Sequence, residues 1–293
     1  MPKLSRVGLI GFGQVGQVLA RDLAAAGVAE VAAFDLLFAD RQSGPSRALD
    51  GCAVRDCASA AQAAAGAELV ICAVTAAQAL EAARAAAWGV EKGAYYLDLN
   101  SAGPSLKQLS AGAIEGRGGR YVEAAVMAPV AEARLAAPML LGGRYASAFL
   151  DLAKPLGFSG ASLFSEQIGK AAAAEMCCSA MLRGFEALLV ESLLAARRHG
   201  VEATVLSVLG DLAPAADWPA LARGMLAGSL EGGARHAADL SEIARTLEEA
   251  GVVPLMTRAA ARRHDWAAAL GSSGADEGLA AALDRVLGRI DEA

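Results

Sequence analysis

Up to about residue 164 the chain alternates short apolar runs with Ala-rich stretches of helical spacing. The runs "RVGLIG", "EVAAFD", "ELVICAV", "AYYLDLN", "RYVEAAVM", "PMLLGG" and "GASLF" are β-type. Between most of them lie segments such as Gln14–Ala26 and Ala76–Trp88, with an apolar face and no internal proline. Strand–helix alternation of this kind predicts a mostly parallel sheet covered by helices on both faces. The last strands follow one another through shorter connections, so antiparallel or mixed pairing is open there. From about Glu166 the β signal fades. Residues 168–199 read as one long amphipathic helix, followed by shorter helical segments punctuated by "APAADWP", "GSLEGG", "AGVVP" and "GSSGADEG". The expected organisation is an α/β domain over 1–164 and an all-helical domain over 165–293.

Composition narrows the class. Apolar residues make up 55% of the 293 residues and charged residues 20%, enough to bury a sizeable core. Net charge is −6 without a basic block, which argues against nucleic acid or an anionic membrane as partner. Apolar runs stay short of the roughly 18 residues that span a bilayer, and the N-terminus lacks the pattern of a signal peptide. The five cysteines include no C-x-x-C pair and read as reduced thiols of a cytoplasmic protein, with Cys177 and Cys178 as helix packing. The histidines, His199, His236 and His264, are far apart in sequence, so no metal site is expected. His236, in "GGARHAADL", reads as a surface histidine at a helix start.

The first strand runs into "GLIGFGQVG", which spaces Gly11, Gly13 and Gly16 as G-x-G-x-x-G ahead of a helix. Gly11 permits the tight turn, Gly13 lets the backbone approach a pyrophosphate, and Gly16 allows close helix–strand contact. The phosphates would meet the positive end of the helix beginning near Gln14. The second strand ends at Asp35, 19 residues after Gly16, where an acid accepts hydrogen bonds from the adenosine ribose. Asp35 would repel a 2′-phosphate and so favours NAD, while Arg41 in the following loop keeps NADP open.

Together with four further segments, this loop resembles the β-hydroxyacid dehydrogenase superfamily, related to 6-phosphogluconate dehydrogenase and 3-hydroxyisobutyrate dehydrogenase. The resemblance implies a Rossmann-type N-terminal domain followed by an all-α domain of 6-phosphogluconate dehydrogenase type. It covers nearly the whole chain. Phe12, Gln14 and Val15 fall with the three glycines in the cofactor loop, and Ala73, Val74 and Thr75 in "ICAVT" resemble the strand end that passes the nicotinamide ribose. "DLNSAGP" resembles the D-x-S-T-x-x-P substrate loop, with Asn100 and Ser101 in the hydroxyl-bearing places. In "YVEAAVMAPV", Glu123 stands where the family has Asp, and Met127, Ala128 and Pro129 replace Ser-Gly-Gly. The groups that commonly hold a substrate carboxylate there are therefore missing.

"IGKAAAAEMCCSAMLRG" resembles the catalytic helix, G-x-x-G-x-G-x-x-x-K-x-x-x-N. Ungapped alignment puts Glu166, Gly169 and Ala171 at the glycines, Glu175 at the lysine and Ser179 at the asparagine. The i, i+4 relation keeps Glu175 and Ser179 on one face. Lys170 lies five residues earlier, about 140° around the helix, and cannot replace Glu175 without a register shift. A carboxylate at this place reverses the local charge from a cation that favours an alkoxide to an anion that favours an iminium. The expected function is NAD(P)-dependent hydride transfer on a small hydroxyacid-type substrate, with NAD favoured. The alternatives are imine-reductase-like reduction of C=N substrates and a dinucleotide-binding protein without catalysis. Relatives commonly pair their helical domains, so a homodimer is expected.

Overall fold

The computed structural model describes residues 4–214, 216–271 and 278–292. The chain forms two compact units, residues 1–176 and 177–293. The first holds eight strands: β1 (Arg6–Ile10), β2 (Glu30–Phe34), β3 (Val54–Asp56), β4 (Leu69–Cys72), β5 (Tyr95–Asp98), β6 (Arg120–Val126), β7 (Met139–Gly142) and β8 (Ala161–Ser165). Its helices are α1 (Gln14–Ala25), α2 (Gly44–Leu49), α3 (Ala60–Ala64), α4 (Ala79–Ala86), α5 (Pro104–Glu115), α6 (Val130–Ala133) and α7 (Ala146–Ala153).

The strands form one sheet in the order β3-β2-β1-β4-β5-β6-β7-β8. Pairing is parallel except between β6 and β7. β4 and β5 are buried along their whole length and β1 along most of it, as expected of strands covered on both faces. Two apolar layers do the covering. One contains Leu9, Phe12, Leu19, Leu97 and Phe149; the other contains Ile10, Val70, Tyr96, Ile114 and Tyr121. The strand order reverses direction between β1 and β4, and in such sheets ligands bind outside the carboxyl ends at that reversal. β3, three residues long and mostly exposed, escaped the sequence reading because so short an edge strand carries no clear alternation.

The second unit is helical, built from most of α8 (Lys170–Arg198) with α9 (Glu202–Leu212), α10 (Trp218–Glu249), α11 (Leu255–Ala269) and α12 (Leu279–Glu292). The breaks expected at "APAADWP" and "AGVVP" are present. Residues 272–277 of "GSSGADEG" lie outside the described residues. "GSLEGG" is not a break: α10 runs through it. The reason is packing, because a methyl at Gly233 would sit 2.5 Å from the His264 carbonyl oxygen. Glycine there lets α10 and α11 approach closely, which outweighs its helix penalty of about 1 kcal/mol. Among the described residues no helix is long and apolar enough to cross a membrane.

Candidate active site and dinucleotide cleft

A cleft of 630 Å³ opens at the carboxyl ends of β1, β2 and β4. Gly11, Gly13, Asp35, Ala73, Val74 and Thr75 all line it, so six of the residues expected to hold a cofactor come together. Gly11 has φ +95°, and a methyl there would collide with the Ala73 carbonyl oxygen. Only glycine meets both demands. Gly13 caps α1 with no side-chain hydrogen bond, α1 has no acid in its first turn, and a methyl on Gly13 would meet nothing within 4 Å. Gln14 is exposed and Val15 half-buried at that helix start. The amide end of α1 therefore faces open space, which suits a pyrophosphate. Phe12 and Gly16 are buried beneath the loop, Phe12 edge-on to Phe38.

Asp35 has a second task that its position in the sequence did not reveal. Its Oδ2 accepts from Phe12 N at 2.7 Å and its Oδ1 from Leu37 N at 2.9 Å. The carboxylate thus ties the glycine loop to the end of β2 while remaining on the cleft wall. Each oxygen keeps a lone pair for a ribose hydroxyl. The exposed Leu36 and Leu37 extend the apolar part of the cleft. This arrangement fits a dinucleotide.

Beneath the loop after β5 lies a buried polar network. Asp98 Oδ1 pairs with Lys107 Nζ at 3.0 Å and accepts from Asn100 N at 2.9 Å and Asn100 Nδ2 at 2.7 Å. Asp98 Oδ2 accepts from Tyr121 Oη at 2.6 Å. Burial pushes the Tyr121 phenol well above its ordinary pKa, so it stays a donor. Asn100 in turn accepts from Val74 N at 2.6 Å and donates to Cys72 Sγ at 3.3 Å. Burial raises the Cys72 thiol to about 12, so it remains protonated. The net effect is to lock the ends of β4 and β5 together, with Asn100 as the pin. Lys107 went unnoticed in the sequence, although its spacing with Ser110, Ala111 and Ile114 marks the inward face of α5.

Ser101 follows Asn100, and its Oγ donates to Glu175 Oε1 at 2.7 Å. Glu175 is only 8% exposed, whereas Lys170 is exposed to solvent. The structure thus brings Glu175 to the DLNS loop and leaves the lysine outside.

Glu123 explains how α8 is aimed. Its Oε2 accepts from Gly169 N at 2.8 Å and its Oε1 from Ala171 N at 3.0 Å, so a fully buried strand carboxylate caps the helix start. Burial raises its pKa, while the Gly169 amide, Lys107 and the Ala171 amide pull the other way. Gly169 has φ +96°, and a methyl there would press on Pro104 at 3.0 Å. Gly169 is therefore required, whereas Glu166, exposed at another family glycine position, is not so constrained.

Ser179 lies one turn beyond Glu175 on α8 and is half-buried. Met127 and Pro129 are exposed after β6, with Ala128 half-buried between them. Two other expectations are corrected. Cys177 and Cys178 are exposed rather than packed. His236 is buried in the middle of α10, not at the surface of a helix start.

Residues 6–169 match the NAD binding domain of 6-phosphogluconate dehydrogenase, and residues 196–267 match a domain of unknown function, DUF1932. No curated protein matches the chain. Among solved structures, it is similar to a conserved hypothetical protein from Sinorhizobium meliloti 1021, at 32% identity and TM-score 0.77 over 98% of this chain and 97% of that one. It is also similar to the conserved protein MTH1747, of unknown function and described as structurally similar to 3-hydroxyacid dehydrogenases. That match has 30% identity and TM-score 0.72 over 89% of this chain and 96% of that one. The Mycobacterium tuberculosis 3-hydroxyisobutyrate dehydrogenase shares the fold at 19% identity and TM-score 0.74, over 96% and 98% of the two chains. A dinucleotide cleft at the sheet's reversal point, the matched NAD-binding domain and these relatives lead to one assignment: the chain belongs to the β-hydroxyacid dehydrogenase superfamily.

Proposed function

We propose that the protein is an NAD(P)-dependent oxidoreductase acting on a small hydroxyacid-type substrate, with Glu175 in place of the usual catalytic lysine. The observation that carries this reading is the 2.7 Å hydrogen bond from Ser101 Oγ to the buried Glu175 carboxylate. When bound, the cofactor supplies the hydride or accepts it. Glu175 takes the hydroxyl proton as the substrate carbon is oxidised and returns it in the reverse direction. Ser101, a hydroxyl that donates and accepts at once, holds that carboxylate and can pass the proton to it. Ser179 extends the same helix face, and Met127, Ala128 and Pro129 form a more apolar rim than a carboxylate-binding Ser-Gly-Gly. Gly11, Gly13, Asp35, Ala73, Val74 and Thr75 hold the cofactor, and Asp35 favours NAD.

A second reading has a specific observation behind it. An anionic Glu175 where the family carries a cation would stabilise an iminium, so C=N reduction competes with hydroxyacid oxidation. The experiment follows NADH and NADPH consumption over aldehydes, 3-oxoacids and cyclic imines. Turnover of oxo compounds supports the first reading and turnover of imines the second. Cofactor binding without any turnover would indicate a dinucleotide-binding protein and overturn both.

A further inference from the structure

Within the helical unit, three metal-ligating side chains converge. Glu186 of α8, His236 of α10 and His264 of α11 are all buried, and one ligand atom of each lies within 4.8 Å of the others. Glu186 Oε1 and His236 Nδ1 stand 3.6 Å apart, too far for a hydrogen bond, and neither has a hydrogen-bond partner among the described residues. Two buried polar atoms in this position have lost hydration without gaining a bond, which is costly. A cation coordinated by both would remove that cost.

The surrounding contacts orient the set. His264 Nε2 lies 3.1 Å from the Arg183 carbonyl oxygen. A carbonyl can only accept, so this nitrogen carries the proton and Nδ1 is the acceptor; it takes a hydrogen bond from Ser229 Oγ at 3.3 Å, which a bound ion would displace. An imidazole that donates its far N–H to a backbone carbonyl is the usual outer-shell arrangement of a metal ligand. Arg183 Nη1 holds Glu186 Oε2 at 2.9 Å and leaves Oε1 turned to the histidines.

Two glycines of α10 pack closely against the cluster. A methyl on Gly232 would sit 2.9 Å from His236 Nε2, and one on Gly228 would sit 3.2 Å from Glu186 Oε1. Both glycines are half-buried.

We propose that Glu186, His236 and His264 form a binding site for one divalent transition-metal ion, of which zinc is the representative. Two imidazoles and one carboxylate suit zinc and its neighbours, whereas calcium and magnesium prefer all-oxygen sites. The ion ties α8, α10 and α11 together. The guanidinium of Arg183 opposes its charge and weakens the affinity. The site is separate from the dinucleotide cleft and does not depend on the proposed reaction.

The test uses the full chain, stripped with a chelator and carrying Cys177→Ser and Cys178→Ser so that exposed thiols cannot bind. Calorimetric titration with Zn²⁺ should give one ion per chain and raise the thermal midpoint. Glu186→Gln and His236→Gln, each confirmed folded by circular dichroism, should weaken binding by more than roughly 100-fold, beyond the usual cost of losing an outer-shell partner. The unmodified protein loaded with Co²⁺ should show a visible spectrum of nitrogen and oxygen coordination. No stoichiometric zinc binding, binding unchanged in both variants, or a cobalt spectrum dominated by thiolate bands would overturn the proposal.

Discussion

Replacing Lys107 by Met tests whether the buried network under the DLNS loop stabilises the fold. The methionine keeps an unbranched apolar stem but removes the ammonium that sits 3.0 Å from Asp98 Oδ1 and 3.1 Å from the Asp98 carbonyl oxygen. Both side chains are 1% exposed, so solvent cannot take over the lost interaction. Leaving one partner of a buried pair uncompensated costs about 3–5 kcal/mol. Asp98 keeps three donors, from Tyr121 and from the Asn100 backbone and side chain, which places the cost near the lower figure. The assay is urea unfolding, with the midpoint shift read at unchanged m-value. The double variant Asp98→Asn/Lys107→Met removes both charges and should be less destabilised than Lys107→Met alone. Because Asn100 also accepts from Val74 N, the single variant should weaken cofactor binding as well. A destabilisation below about 1 kcal/mol, the scale of an exposed pair, or a double variant no better than the single, would refute the reasoning.

Glu175→Gln should lower turnover by about 10²–10⁴-fold with little change in cofactor affinity, while Lys170→Met costs far less. The reverse pattern in steady-state kinetics would make lysine the catalyst. NADH should bind more tightly than NADPH, and Asp35→Ala should narrow the difference; tighter NADPH binding by the unmodified protein counts against Asp35 as the selector. The His236 pKa of about 3 in the fold lies below the ordinary 6.5, so the unfolded chain binds the extra proton as pH falls through 6.5. Stability is therefore present above 6.5 and lost below it, by about 1.4 kcal/mol between pH 7.5 and 5.5. His236→Gln in chelator should flatten that slope; Arg183, Glu186, Arg235 and His264 are the charged or titratable groups beside the ring. Finally, Met181, Leu182, Phe185 and Leu188 are exposed on α8, and light scattering should show a homodimer; a fully active monomer at micromolar concentration would contradict this.

Local pattern was enough for the strand–helix alternation, the glycine loop with Asp35, and the long helix from near residue 168. Each depends on residues close in sequence, whose spacing encodes face and turn directly. The placement of Glu175 inward and Lys170 outward was also legible, because five residues of helix leave their side chains on different faces. Tertiary structure alone decided the rest. Glu123 read as a substituted substrate-loop acid, yet it caps α8 from 46 residues away in sequence. Lys107 carries no signal of its own in the sequence, and only the sheet places Asp98 beside it. The glycines of "GSLEGG" suggested a break, yet α10 runs through them and Gly233 packs closely against α11. His236 and His264 share no local motif, and three helices packing together bring them to Glu186. Spacing along a chain specifies an element and its faces, but the meeting of faces from distant elements depends on how the whole chain packs.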